Sequence, residues 1–180
     1  MRKTILALLI LVTSMPVNAF AMGSGDPYLD AQTGLTYSLY KPVNTVGISQ
    51  TQFKLLPCGG GGEEWVYTKF SKGKKKIEVM QTMKVAHCSD PGLSVKLPSI
   101  KINGTTASVF VYCDPTNKTS AKKCSSKDFT KFGGYLSFSL PGYYGMKATT
   151  VQVQGVGGIT FEQIKSVARS LTPASTKPSN

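Results

Sequence analysis

The amino-acid sequence predicts an α+β protein in which an antiparallel β-sheet of about six to eight strands carries one C-terminal α-helix packed on a face. Three observations lead to this fold class. Apolar and polar residues alternate with a period of two in successive stretches between residues 35 and 154. Short turn-forming segments separate those stretches. One apolar stripe with helical periodicity follows them near the end of the chain.

The first 21 residues have the pattern of a cleaved signal peptide. Arg2 and Lys3 precede an unbroken apolar run over residues 5–12, and residues 19–21 read Ala-Phe-Ala, a small-x-small cleavage pattern. A transmembrane anchor is the alternative, but the run is shorter than the about 20 residues that cross a bilayer. We therefore expect cleavage after Ala21 and a secreted, extracytoplasmic protein, periplasmic or at the cell surface, with no transmembrane segment after cleavage.

The mature chain divides into a flexible lead-in over residues 22–33, a single β-rich domain over 34–172 and a disordered tail over 173–180, which is rich in Pro, Ser and Thr. Within the domain, residues 35–40 alternate as a strand does.

Turn-forming residues are expected to join later stretches into hairpins. They occur at 72–74 (Lys-Gly-Lys), at 103–104 (Asn-Gly, the strongest short hairpin signal) and at 141–145 (Pro-Gly-Tyr-Tyr-Gly).

A helix is expected between Thr160 and Pro173. Thr160 followed by Gln163 three residues later forms a capping box, and Pro173 prevents continuation. The apolar stripe comprises Phe161, Ile164, Val167, Ala168 and Leu171. We expect this stripe to face the core; a membrane-binding amphipathic helix is the alternative, and the few cations on the polar side disfavour it.

All four cysteines, Cys58, Cys88, Cys113 and Cys124, lie in the mature part. An even number in an exported chain predicts two disulfides. Three pairings are possible, and we favour Cys58 with Cys88 and Cys113 with Cys124 because each closes a local excursion. A zinc site is the rival interpretation, but no pair has Cys-x-x-Cys spacing and the only histidine adjoins Cys88.

The chain is strongly basic, with a formal net charge of +12. Without Arg2 and Lys3, 19 basic and 9 acidic residues remain, which leaves +10. Such a charge favours anionic partners, and outside the cytoplasm an acidic wall polymer or lipid headgroups are easier to reach than nucleic acid, which we do not expect as a partner. A role in solubility alone is the equally weighted alternative.

Two groups of residues are candidate binding sites. Lys72, Lys74, Lys75 and Lys76 share one hairpin tip, and Tyr143 with Tyr144 occupies a glycine-flanked loop. A second basic stretch surrounds Cys124: Lys118, Lys122, Lys123, Lys127 and Lys131. Both groups also have a structural alternative. The lysines could form a solvated sheet edge that prevents aggregation, and the tyrosines could cover the end of the sheet.

The sequence does not suggest catalysis. His87, the only histidine, neighbours a cysteine expected to be oxidised, and Glu63 and Glu64 would point to opposite faces of a strand. The glycine run at 59–62 lacks the Lys-Ser/Thr of a phosphate loop. We therefore expect no enzyme, no catalytic or metal residues and no cofactor.

The second half of the chain resembles the DUF4367-type domains of exported and anti-sigma-associated bacterial proteins. The resemblance rests on residues 101–107 (Lys-Ile-Asn-Gly-Thr-Thr-Ala), 134–138 (Gly-Tyr-Leu-Ser-Phe), 158–164 (Gly-Ile-Thr-Phe-Glu-Gln-Ile) and 168–171 (Ala-Arg-Ser-Leu). The opening strand at 37–42 and the closing helix are also similar to those of PsbP/Mog1-like domains. The four cysteines and the glycine run depart from both patterns. The resemblance implies an antiparallel sheet with helix packing, a binding or accessory role and no catalytic residues.

These observations favour a secreted or cell-surface accessory module that binds an anionic envelope component. Two alternatives stay open: a carrier or sensor for an apolar ligand such as lipid, and an enzyme of unrecognised type.

Overall fold

The structure is a computed structural model that describes residues 23–58, 62–84, 88, 92–113, 116 and 123–174. The expected signal peptide and residues 175–180 of the expected tail lie outside the described residues. The same holds for His87, Lys118 and Lys122.

Seven strands form one antiparallel sheet, as the alternation predicted. They are β2 (Ser49–Cys58), β3 (Gly62–Lys72), β4 (Lys75–Met83), β5 (Val95–Ile102), β6 (Thr105–Val111), β7 (Gly134–Leu140) and β8 (Thr149–Val156). Their order across the sheet is β2-β3-β4-β8-β7-β6-β5. Two further short strands, β1 (Tyr40–Pro42) and β9 (Leu171–Pro173), pair with each other in a separate ribbon.

The three expected hairpins are confirmed. Strands β3 and β4 meet with Lys72 opposite Lys75, and β7 and β8 meet with Leu140 opposite Thr149. At the turn between β5 and β6, Asn103 and Gly104 have φ values of 48° and 77°. This left-handed backbone is the reason that Asn-Gly is favoured at a two-residue hairpin turn.

Within the described residues, three α-helices flank the sheet: α1 (Pro27–Gln32), α2 (Phe129–Phe132) and α3 (Phe161–Arg169). The capping box of α3 is confirmed, since the Gln163 N–H donates to Thr160 Oγ1 at 3.2 Å and the Thr160 N–H donates to Gln163 Oε1 at 3.0 Å. The expected stripe buries Ile164, Val167 and Ala168. Leu171, its last member, belongs to β9 rather than to the helix.

The two sides of the seven-stranded sheet differ in what covers them. The side that carries Val79, Leu136 and Val151 packs against α3, and we call it the first face. Helix α1 also lies on this side, because the Tyr28 hydroxyl donates to Thr68 Oγ1 at 3.1 Å. The opposite side, which carries Met80 and Gln152, is the second face. The main hydrophobic core therefore lies between the first face and α3.

The expectation of a loose lead-in over residues 22–33 is wrong for the stretch that forms α1. The Asp26 carboxylate accepts the N–H of Tyr28 at 3.0 Å, and Pro27 suits the first helical turn. Tyr28 is only 1% exposed, and its ring packs edge-on against Phe53 at 4.9 Å between centroids. Burial of this one ring anchors a helix that is too short to be stable alone.

Two other boundaries differ from the expectation. Only Tyr40 of the alternating stretch at 35–40 lies in a strand. Burial does not alternate along this stretch either, because Ser38 and Tyr40 are buried as well as Leu35, Tyr37 and Leu39. Pro173, placed in the disordered tail, pairs with Tyr40 in the β1–β9 ribbon. The sequence reasoning missed this ribbon because its two strands are far apart in the chain.

Both disulfides have the favoured pairing. Cys58 is bonded to Cys88 with their Cα atoms 4.8 Å apart, and Cys113 is bonded to Cys124 with their Cα atoms 6.5 Å apart. The first bond ties the end of β2 to the segment that follows β4. The second ties the end of β6 to the approach to α2, so each closes a local connection.

Candidate functional site

The structure separates the four lysines of the β3–β4 hairpin onto two sides of the sheet. Alternation places Lys75 on the same side as Ile77, which is buried in the core on the first face, and Lys72 pairs directly with Lys75. Lys74 lies in the turn itself. Lys76 falls on the second face, so three of the four expected lysines come together and one does not.

The three lysines on the side of the first face line a surface pocket of about 450 Å³. Its other wall comes from the segment before β2, from the loop between β8 and α3, and from the first turn of α3. The lining residues are Val46, Gly47, Ile48, Lys72, Lys74, Lys75, Gly157 and Gln163. The positive end of the α3 macrodipole lies at the same turn as Gln163.

No carboxylate of a described residue forms an ion pair with the pocket lysines. The ion pairs among the described residues join Lys41 to Asp26 at 2.6 Å and Lys165 to Glu162 at 2.7 Å. The side chains at the hairpin tip are exposed. The pocket therefore presents positive charge that no described carboxylate neutralises, which suits an anionic group such as a phosphate or a carboxylate.

Gly157 brings the two walls of this pocket together. A Cβ atom at this position would fall on the backbone carbonyl of Lys74, and the residue has a φ of 71°. Any other residue here would push the β8–α3 loop away from the hairpin tip. The contact therefore determines the spacing between the lysines and the first turn of α3.

The two tyrosines of the second expected contact site, Tyr143 and Tyr144, also differ in their surroundings. Tyr143 is tied into the fold: its hydroxyl lies 2.6 Å from the Leu39 carbonyl oxygen and 2.8 Å from Gln32 Oε1, and its ring packs edge-on against Tyr40. This is the alternative role that the sequence analysis kept open, a cover over the sheet end. The ring of Tyr144 packs edge-on against Tyr143 with the centroids 5.5 Å apart, but the residue is 53% exposed and can still meet a partner.

The described members of the second basic stretch, Lys123, Lys127 and Lys131, are exposed, and they lie around the short helices near Cys124. Among the described residues, no group of three or more His, Cys, Asp or Glu side chains is placed to hold a metal ion. No helix within the described ranges is long and apolar enough to cross a bilayer.

Comparisons with known proteins do not add to this geometry. The chain has no significant match among protein-family models, among curated proteins or among solved structures. The resemblance to DUF4367-type and PsbP/Mog1-like domains therefore stays a prediction.

Sequence reasoning found the lysines but not the pocket. The other wall comes from residues 46–48 and 157, which lie 24 or more positions from the hairpin and reach it only through the tertiary fold. One local signal was present: consecutive glycines at 157 and 158 between a strand and a helix indicate a backbone that must approach another segment closely.

Proposed function

We propose that this protein is an extracytoplasmic binding module that holds an anionic group of the cell envelope in the pocket formed by Lys72, Lys74 and Lys75. The observation that carries the proposal is the grouping of three exposed lysines around a concave site next to the first turn of α3. A phosphate group is the chemistry that a wall polymer and a lipid headgroup share. Two disulfides support a location outside the cytoplasm, where such bonds persist.

Binding experiments with two sources of phosphate test the proposal. Immobilised poly(glycerol phosphate) represents a wall polymer, and vesicles of phosphatidylcholine with phosphatidylglycerol represent a lipid surface. We expect the protein to bind one of these probes at low salt and to be released at high salt, because screening weakens exposed charge pairs. Absence of binding to both probes at low salt would overturn the proposal.

A pair of charge-matched variants locates the site. Replacing Lys72 and Lys75 with Gln should weaken binding by about tenfold or more, since each lost lysine removes a charge-assisted contact. The control replaces Lys76 and Lys101 with Gln, which removes the same net charge from exposed positions outside the pocket. Equal loss in both variants would mean that overall charge, and not this pocket, attracts the probe.

A second cavity favours the alternative of an apolar-ligand carrier. It has a volume of about 370 Å³ and lies between the first face and the start of α3, with Leu97, Ile100, Val109 and Phe161 among its lining residues. Native mass spectrometry of protein purified from its own host tests this function. A lipid-mass adduct that is lost on replacing Ile100 with Glu supports it, and a bare chain contradicts it.

A further inference from the structure

The second face of the sheet holds a buried hydrogen-bond donor without a partner. Gln152 lies at the middle of β8, opposite Met80 on β4 and opposite Ser137 on β7. The residue is only 9% exposed, and its Nε2 atom has no hydrogen-bond partner. An unpaired amide N–H out of reach of water destabilises a fold, so its presence calls for an explanation.

Aromatic rings flank this donor on both sides. On the β3 side, Trp65 and Tyr67 pack edge-on with centroids 6.2 Å apart. On the other side, Phe110 stacks on Tyr135 at 4.6 Å with an interplanar angle of 12°, and Tyr112 lies 5.8 Å from Tyr135. Most of these rings are partly exposed, whereas all of the described helices lie on the first face or beside it.

Polar side chains between the rings are already oriented by hydrogen bonds. The Tyr67 hydroxyl donates to Glu78 Oε1 at 2.8 Å, and the Tyr112 hydroxyl donates to Gln154 Oε1 at 3.0 Å. Burial raises the pKa of Tyr67 and that of Tyr112, which keeps both hydroxyls protonated as donors. The acceptors of these bonds, the Glu78 carboxylate and the Gln154 amide oxygen, keep further lone pairs that can accept hydrogen bonds from a ligand.

The charge on this surface selects the class of ligand. On the two strands beneath its centre, the second face carries no charged side chain. Besides Tyr135 and Val156 it presents uncharged polar residues: Thr150, Gln152 and Gln154 on β8, and Ser137 and Ser139 on β7. Lysines on this face lie outside these two strands, on β2, β3, β4 and β5. The centre of the second face therefore offers hydroxyls, amides and aromatic rings but no lysine. Such a surface suits a neutral molecule with many hydroxyls better than a polyanion.

We infer that the second face binds a neutral saccharide chain, with a sugar ring lying on the aromatic rings and a sugar oxygen accepting the free N–H of Gln152. Aromatic faces attract the apolar C–H side of a ring, and the amide supplies the directional contact. The flanking rings must rotate to admit this oxygen, because Gln152 is nearly buried in the free protein. This site is separate from the lysine pocket, so either one can fail without the other.

The chain provides its own optical probe for the test. Trp65 is the only tryptophan in the sequence and lies on the second face, so a saccharide placed there should change the intrinsic fluorescence. We would titrate the protein with cellotetraose, maltotetraose and chitotetraose, and measure the heat of binding in parallel. We expect at least one to bind saturably; no fluorescence or heat change with all three would overturn the inference.

Variants of two glutamines show whether the donor acts as proposed. Replacing Gln152 with Met keeps the volume and removes the N–H, and should weaken saccharide binding by about tenfold. The control replaces Gln50 with Met, since Gln50 is exposed on the edge strand β2, and should leave the affinity unchanged. Unchanged affinity in the Gln152 variant would overturn the inference.

Discussion

Gln81 and Tyr40 are joined by two hydrogen bonds that close a ring between a side chain and a backbone. The Tyr40 N–H donates to Gln81 Oε1 at 2.8 Å, and Gln81 Nε2 donates to the Tyr40 carbonyl at 2.9 Å. Gln81 is fully buried on β4. Its side-chain amide hydrogen-bonds to the N–H and the carbonyl of Tyr40, as the backbone of a neighbouring strand would. This side chain is one link between the short ribbon and the large sheet; the Tyr40 hydroxyl, which donates to the carbonyl of Pro141 after β7, is another.

We expect the replacement of Gln81 with Met to destabilise the protein by about 2–4 kcal/mol, because it leaves a buried N–H and a buried carbonyl of Tyr40 unpaired. Urea denaturation followed by circular dichroism measures the change. Replacing Gln152 with Met is the matched control: this glutamine is also buried on the same sheet, but its Nε2 has no partner to lose. That variant should be as stable as the wild type or more stable. Equal destabilisation by both changes would contradict the assignment.

The ion pair between Asp26 and Lys41 should make stability depend on pH at the acidic end. Burial alone would raise the pKa of the Asp26 carboxyl, but the hydrogen bonds from Lys41 and from the Tyr28 N–H outweigh burial and lower the pKa. A lowered pKa means that the ionised form stabilises the fold above the unfolded value of about 3.9, and that this stability is lost as the pH falls through the folded value.

Replacing Asp26 with Asn removes the charge and keeps a residue that can cap α1. We expect this variant to lose less than about 1 kcal/mol at neutral pH, because Lys41 is exposed to solvent and screening weakens the pair. The difference from the wild type should vanish in strong acid. Thermal unfolding from neutral to acidic pH measures it, with Lys41→Gln as a second variant that should show the same trend. A difference that grows in acid would be the opposite of this expectation.

Gly157 should tolerate substitution less well than Gly73, although both have a positive φ. A Cβ at Gly73 meets no atom within 4 Å, whereas at Gly157 it falls on the Lys74 carbonyl. Replacing Gly73 with Ala should therefore cost about 1 kcal/mol from backbone strain alone. Gly157→Ala should cost more and should also weaken phosphate binding, as the pocket wall is displaced. Chemical denaturation and the binding assay test both effects, and equal costs at the two positions would refute the close contact.

The two disulfides should differ in their contribution to stability. Cys58 and Cys88 are separated by 30 positions, and Cys113 and Cys124 by 11. By loop-closure entropy, removal of the first bond should cost about 4 kcal/mol and removal of the second about 3 kcal/mol. Paired Cys→Ala variants compared by denaturation give the two values. A larger loss from the second pair would show that entropy of the unfolded chain does not dominate.

Elements that depend on neighbours in the chain were predictable from the sequence. The turn at Asn103 and Gly104 requires only the backbone freedom of those two residues. The start of α3 is similarly local, since Thr160 and Gln163 cap each other. The even number of cysteines in a chain expected to be exported was enough to predict two bonds, and short loop length gave the pairing.

Elements that depend on distant partners were not predictable. Helix α1 has six residues, and it depends on the burial of Tyr28 against Thr68, which lies 40 positions away. The lysine pocket needs Gly157 next to Lys74. No pattern within a short window of sequence contains these contacts, because they arise when separate segments pack on the same face.

The β1–β9 ribbon also has a consequence for the order in which the chain can fold. Lys41 pairs with Thr172, so β1 has no partner strand until residues more than a hundred positions later have left the ribosome. Contacts of such long range form slowly and late. During synthesis the side of β1 that pairs with β9 therefore remains open to other molecules, and a chaperone that accepts extended polypeptide would meet it in that condition.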